Sequence, residues 1–150
     1  MNAGLLFIHS ILRHIVFILL VFTLARHITG WLNKRAYNNI DKKAALFTLI
    51  TCHVQLLIGI ILYFMSNKVQ FALANLGTAM TNTELRFWSI EHSLAMLIAI
   101  ILITIGYTSA KKMKYSYPKY KRISILFGIA FLLICFAIPW PWATIARGWM

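Results

Sequence analysis

The sequence predicts an all-α fold: one integral membrane domain over residues 1–150, its four transmembrane helices forming an antiparallel, up-down-up-down bundle. Three observations predict it. Hydrophobic residues make up 61% of the 150, and the mean hydropathy is +0.76, more apolar surface than a soluble chain of this length can hide inside itself. Four segments, near 5–29, 44–66, 86–110 and 122–140, are long enough to cross a hydrocarbon core of ~30 Å, which takes about 20 helical residues. The basic residues are sorted by side, as set out below.

Each segment has to be helical, because hydrocarbon offers backbone groups no partners outside their own segment. The alternating polarity of barrel strands is absent from the sequence. The first segment, "LLFIHSILRHIVFILLVFTLA", exceeds a signal peptide's apolar core, has no charge in front of it, and carries Arg13 and two histidines, so it is expected to be a permanent span. Gly30 follows it where a C-cap would sit. Asp41, ahead of "KKAALF", suits the N-cap of the second helix. "VQFALANLGTAM" is apolar but too short to span, and is expected to lie along the outer surface or to fold over the bundle mouth. "TNTE", Thr81 to Glu84, fits a capping box that starts the third helix near residue 82. Pro118 breaks the connection before the fourth helix, which Pro139 and Pro141 end.

A formal charge of +12 would suit nucleic acid, but the placement of the charges points elsewhere. Arg26, Lys34, Arg35, Lys42 and Lys43 lie between the first two spans. Lys111, Lys112, Lys114, Lys119, Lys121 and Arg122 lie between the last two. The N-terminal tail, the 67–85 connection and the C-terminal tail hold only Lys68 and Arg147. This is the positive-inside pattern of a lipid bilayer protein with both termini on the outer side, and it predicts no nucleic-acid partner. Trp31 at the inner boundary, and Trp88, Trp140 and Trp142 at the outer one, fit interfacial belts.

Ionisable residues inside spans are costly, which makes them candidates for function. Here they are His9, Arg13, His14, His53, Glu91 and His92, with His27 near the inner boundary, where it suits an interfacial role. At 1.5 Å per residue, His9 lies ~6 Å below the start of the first helix and His92 ~9 Å below the outer boundary, at similar depth on different helices. His53 and His14 fall nearer the middle. His9, Arg13 and His27 share one face of the first helix, expected to look inward.

Haem b is a flat, largely apolar disc whose iron takes two imidazoles and whose propionates are anionic. A helical bundle can hold it with one histidine from each of two helices at matched height. His9 and His92 meet that condition, and Arg13 could neutralise a propionate. Glu91 could pair with Arg13, or hydrogen-bond a ligating imidazole. His53 with His14 is a possible second pair, and so a possible second haem. Gly59 would let a macrocycle, or simply another helix, approach the backbone. The expected function is electron transfer, with quinone or a respiratory subunit as partner. Two other readings stay open: a haem-free structural or assembly subunit with histidines as interhelical donors, and a pathway in which Glu91, His92 and His53 relay protons or hold copper or zinc.

The sequence shows no Gly-x-Ser-x-Gly elbow, no His-Glu-x-x-His motif and no phosphate loop, which argues against a hydrolase. Cys52 and Cys135 fall inside spans and outside any Cys-x-x-Cys-His motif, so covalent c-type haem is not expected. Met65, Met80, Met96 and Met113 have no copper-ligand spacing.

The stretches "FIHSILRHIV", "HVQLLIGIILYF" and "RFWSIEHSLAMLIAIILITIGY", followed by the basic loop and "IPWPW", resemble the short bacterial four-span membrane proteins described as cytochrome b-like. The resemblance covers nearly the whole chain. It implies haem b in a helical bundle of the bacterial inner membrane, with His9, His53 and His92 at the family's recurrent histidines. Relatives often have histidine where this chain has Tyr107, which implies a missing inner ligand here. A fainter similarity to haem A synthase, through the Glu-His pair and "QLLIG", carries no enzymatic activity across.

Overall fold

The computed structural model describes residues 3–140, and every element among them is helical. In chain order these are α1 (Ala3–Leu32), α2 (Asn39–Met65), the short α3 (Asn67–Ala74) and α4 (Leu76–Thr81), then α5 (Thr83–Lys112) and α6 (Ser116–Ala137). α1, α2, α5 and α6 are each long and apolar enough to cross a membrane. α1 packs along α2 and α6, and α5 packs along the same two, so α1 and α5 stand at opposite corners of a four-helix bundle. Contacts run in reverse residue order along neighbours: Arg26 meets Asp41 and Thr23 meets Thr48 between α1 and α2, while Tyr63 meets Ser89 and His53 meets Thr104 between α2 and α5.

The bundle centre is built from Leu20, Ile103, Ile123 and Phe127, with Ala45, Ala99 and Ala130 fully buried beside them. A Cβ on Gly106 would come within 3.1 Å of the Phe127 ring, so this glycine sets how closely α5 and α6 approach. Large aliphatic and aromatic side chains lie on the outside instead: Ile18, Leu57 and Phe64 are exposed, and Phe136 is 85% exposed. Small residues between helices and bulky apolar ones outside suit hydrocarbon as the surrounding solvent, and the chain is built as a multi-pass membrane protein. Thr23 and Thr48 share a 2.8 Å hydroxyl bond across α1 and α2, worth about 0.6 kcal/mol by the average for polar contacts between membrane helices.

Helix boundaries depart from the expected ones for local reasons. α1 does not stop at Gly30. It runs on to Leu32 and closes with Arg35 N–H on the Gly30 carbonyl (3.0 Å) and Lys34 N–H on the Trp31 carbonyl (3.3 Å), a Schellman turn with Lys34 at φ 49°. Gly30 is small for another reason: a Cβ there would lie 2.4 Å from the Tyr120 ring. Asp41 is not the N-cap of α2. Asn38 is, its side chain accepting from Asp41 N–H (3.0 Å) while Asp41 accepts from Asn38 N–H (3.2 Å). That reciprocal box, worth about 1 kcal/mol, starts the helix several residues before the expected span. α5 is capped by Asn82, which accepts from Leu85 N–H at 3.0 Å, and Glu84 pairs with Lys68 instead of closing a box with Thr81. Pro118 sits inside the first turn of α6, where a missing N–H costs nothing, and α6 ends at Ala137, before Pro139. Pro141, Trp142 and Arg147 lie outside the described residues. The "VQFALANLGTAM" stretch forms α3 and α4, and α3 packs on the start of α5.

α5 is not uniform. Phe87–Glu91 forms a π-helical turn, with His92 N–H bonded five residues back to the Phe87 carbonyl. The turn adds one residue to the winding and rotates everything before it relative to everything after.

The end of the bundle carrying most of the basic residues is tied by a polar cluster. Asp41, fully buried, accepts from Arg26 (2.7 Å), Arg35 (2.8 Å) and the Tyr120 hydroxyl (2.6 Å). His27 was expected near the headgroups, yet it is fully buried here. Its Nδ1 faces the Thr23 carbonyl at 2.7 Å and must donate to it, which leaves Nε2 to accept from the Tyr37 hydroxyl at 3.3 Å. The rings of His27, Tyr37 and Tyr120 pack mutually at 5.0–5.7 Å. Burial first, then the Asp41 carboxylate, pushes the Tyr37 phenol well above its ordinary value, so it remains a donor.

Candidate functional site

The opposite end of the bundle gathers a different set of groups. His9, on the second turn of α1, is half-buried with its ring against α2. Gly59 makes the room: a Cβ there would meet His9 Cε1 at 3.3 Å. Gln55, one turn along α2, donates Nε2–H to the His9 carbonyl at 3.0 Å. His92, on the first regular turn after the π turn, faces the end of α6, its Nδ1 2.8 Å from the Ala137 carbonyl. A carbonyl only accepts, so Nδ1 carries the proton and the lone pair of the neutral ring lies on Nε2. The rings of Phe87 and Trp88, both from the π turn, flank it at 5.8 and 5.6 Å.

α2 serves as a ruler for both histidines. His9 lies beside Gly59, and one turn on, Tyr63 donates its hydroxyl to the Ser89 carbonyl at 2.9 Å, three residues before His92. The two imidazoles thus sit at about the same level on diagonal helices. Arg13 is close enough for its charge to reach both, and His9 and His92 lie within the same reach of each other. His9 Nδ1, Gln55 Oε1 and Trp88 Nε1 are buried in this region without a hydrogen-bond partner among the described residues. Leaving such an atom unmet costs about 1–3 kcal/mol.

The other expected site residues go elsewhere. Glu91 is exposed and pairs with Arg86 at 2.6 Å, on its own helix, in place of the expected link to Arg13 or to a ligating imidazole. Two residues five apart would point about 140° away from each other on a regular α-helix, and the π turn brings them together. His14 and His53 are held in different places: His14 is exposed, on the Ser10 carbonyl of its own helix (2.8 Å), while His53 bonds the Leu49 carbonyl (2.8 Å) with Nε2 3.4 Å from the Thr104 hydroxyl of α5. Among the described residues no three His, Cys, Asp or Glu side chains gather to hold a metal ion, Glu91, His92 and His53 included. Cys52, buried, and Cys135, half-buried, are both free and sit in the helix packing.

Sequence reasoning missed Gln55, Tyr63, Trp88 and the Ala137 carbonyl. Gln55 carried a signal, being an uncharged amide in the otherwise apolar "VQLLIGIIL".

No protein family, curated protein or solved structure matches this chain. The fold and site define a class by themselves: a four-helix membrane protein with two level imidazoles at one end of its bundle.

Proposed function

We propose that this protein is a membrane cytochrome that binds one haem b through His9 and His92. The observation that carries the proposal is the pairing of two half-buried imidazoles at one level on diagonal helices, one with its Nε2 lone pair fixed by a carbonyl at Nδ1. The donor set fits the group. Neutral imidazoles on separate helices are what a six-coordinate haem iron takes, and the apolar, aromatic surroundings suit a macrocycle. His9 keeps a buried, unmet ring nitrogen, a cost that a histidine retained only for packing would be expected to shed. Arg13 supplies the positive charge that a propionate needs. Haem b held in this way supplies one-electron exchange at its iron.

The chain's own part is to orient the two rings, balance charge and keep water away. Phe87 and Trp88 shield His92, and Gly59 lets His9 settle against α2. With the basic connections on the cytoplasmic side of a bacterial inner membrane, the pair would lie near the outer surface and exchange electrons there with quinone or a respiratory subunit. His53 remains a helix tie in this reading, and Tyr107 lines the core.

The test is spectroscopic. Protein purified in mild detergent and supplemented with haem is expected to show a Soret band, and an α-band on reduction. His9→Phe or His92→Phe should abolish both, while His53→Phe keeps them. A wild-type preparation that stays colourless overturns the proposal. One observation favours a second reading, a haem-free structural subunit: His27, His53 and His92 each bond a backbone carbonyl. That reading expects His9→Phe and His92→Phe to weaken assembly modestly with no chromophore at stake.

A further inference from the structure

All three acidic side chains of this chain are already paired. Asp41 is enclosed by Arg26, Arg35 and Tyr120, while Glu84 and Glu91 hold Lys68 and Arg86 at the opposite end of the bundle. The basic end sets eleven lysines and arginines against Asp41 alone, so its remaining cations have to find anions outside the chain. Lys42, Lys43, Lys111 and Lys112 are simply exposed along the rim. Lys121 and Arg122 are placed differently. They border a groove of about 360 Å³ at the start of α6, lined also by Met113, Pro118, Ile125 and Leu126. Positions 118, 121, 122 and 125 recur at helical spacing and form one face of α6. Lys121 and Arg122 sit one turn nearer the basic end than Ile125 and Leu126, about 6 Å along the axis. The groove is therefore cationic at its mouth and apolar below. Neither cation has an ion-pair or ring partner among the described residues, whereas Lys119 lies over the Tyr37 ring and Lys114 over the Tyr115 ring.

We propose that this groove binds one anionic glycerophospholipid, its phosphate held by Lys121 and Arg122 and an acyl chain laid along Ile125 and Leu126. Charge complementarity selects the occupant. Two unpaired cations on one turn call for an anion, and the apolar wall below them calls for hydrocarbon joined to it. A free anion would use only the mouth, and a neutral lipid only the wall. The order of the lining along α6 is also the order of groups in a phospholipid whose head lies at the basic end. The guanidinium of Arg122 can donate two parallel hydrogen bonds to phosphate oxygens, and Lys121 adds a compact charge beside it. The volume falls within the range of small-ligand sites, about 300–1,000 Å³. The groove lies at the other end of the bundle from His9 and His92, so the proposal does not depend on haem.

Native mass spectrometry of the full chain in mild detergent tests it, with titration by phosphatidylglycerol or by phosphatidylcholine of the same acyl chains. A cation near an anionic headgroup is worth about a fivefold change in binding. The wild type is therefore expected to hold a phosphatidylglycerol at least about fivefold more tightly than phosphatidylcholine. Lys121→Gln with Arg122→Gln should weaken phosphatidylglycerol binding by about tenfold or more. Lys42→Gln with Lys43→Gln removes the same charge from the same end but outside the groove, and should leave binding within about twofold of the wild type. Ile125→Trp keeps both cations and fills the groove, and should also weaken binding several-fold. Equal affinity of the wild type for the two lipids overturns the proposal without recourse to any variant. An equal loss in the Lys42 and Lys43 variant overturns it in favour of a diffuse charged rim. Displacement of the lipid by inorganic phosphate overturns it in favour of a site for a free anion. A folded variant at Lys121 and Arg122, or at Ile125, that binds as the wild type does also overturns it.

Discussion

The two ends of the bundle handle buried polarity in opposite ways. At the basic end, Asp41 accepts from two arginines and a tyrosine, and both nitrogens of His27 are used. At the other end, His9, Gln55 and Trp88 each keep a buried polar atom with no bond among the described residues. A closed network makes a fold rigid and specific. An open one of similar size, with two level imidazoles in it, leaves bonding capacity for something else. Histidine is present at both ends, so the difference lies in what each ring nitrogen has left to do.

The largest expected effect breaks or sharpens this contrast directly. His9→Phe or His92→Phe should lower bound haem more than tenfold by absorbance, whereas His27→Phe should leave bound haem per folded molecule unchanged. A His27 variant that folds but loses the pigment would erase the distinction between the ends. Next in size is Asp41→Ala, which strands Arg26, Arg35 and the Tyr120 hydroxyl. Removing one partner of a buried pair costs about 3–5 kcal/mol. Arg35 is 39% exposed at its side chain, which sets the expectation at the lower figure, about 3 kcal/mol, read as a fall in melting temperature with the haem spectrum unaltered.

The same small substitution made at each end gives a finer comparison. Gly30→Ala drives a methyl into the Tyr120 ring at 2.4 Å and should cost about 1–3 kcal/mol of stability. Gly59→Ala meets only the edge of the His9 ring, with Cε1 at 3.3 Å and Nδ1 at 3.9 Å. Its stability loss should stay below about 1 kcal/mol, but the displaced ring should weaken haem affinity several-fold in a titration. The smallest effect belongs to Lys34, held at φ 49°. Lys34→Gly relieves the left-handed strain and should raise stability by about 1 kcal/mol in the same melting assay.

The spans were legible because lipid allows few alternatives: twenty apolar residues in a row must be helical, and counting along the chain located them. The level pairing of His9 and His92 was legible for the same reason, since 1.5 Å per residue holds along any regular helix. Other features were hidden by departures from regularity. Facing arguments at 100° per residue fail across Phe87–Glu91, so they point Glu91 to Arg13 or to a ligating imidazole and miss its partner, Arg86. Asp41 and Thr81 each have a better cap one to three residues away, Asn38 and Asn82. His27 was placed by depth near the surface, but depth says nothing of the tyrosines that close over it from the 33–38 connection and α6.

The extra residue in the outer turn of α5 has one more consequence. The first turn of α5 upstream of it, which carries Arg86, is wound on a different phase from the shaft that begins at His92. Deleting a single residue within 87–91 would turn that first turn by about 100° relative to the shaft and carry Arg86 away from Glu91. The mouth of this helix and its column are thus clocked separately, and one amino acid sets the angle between them.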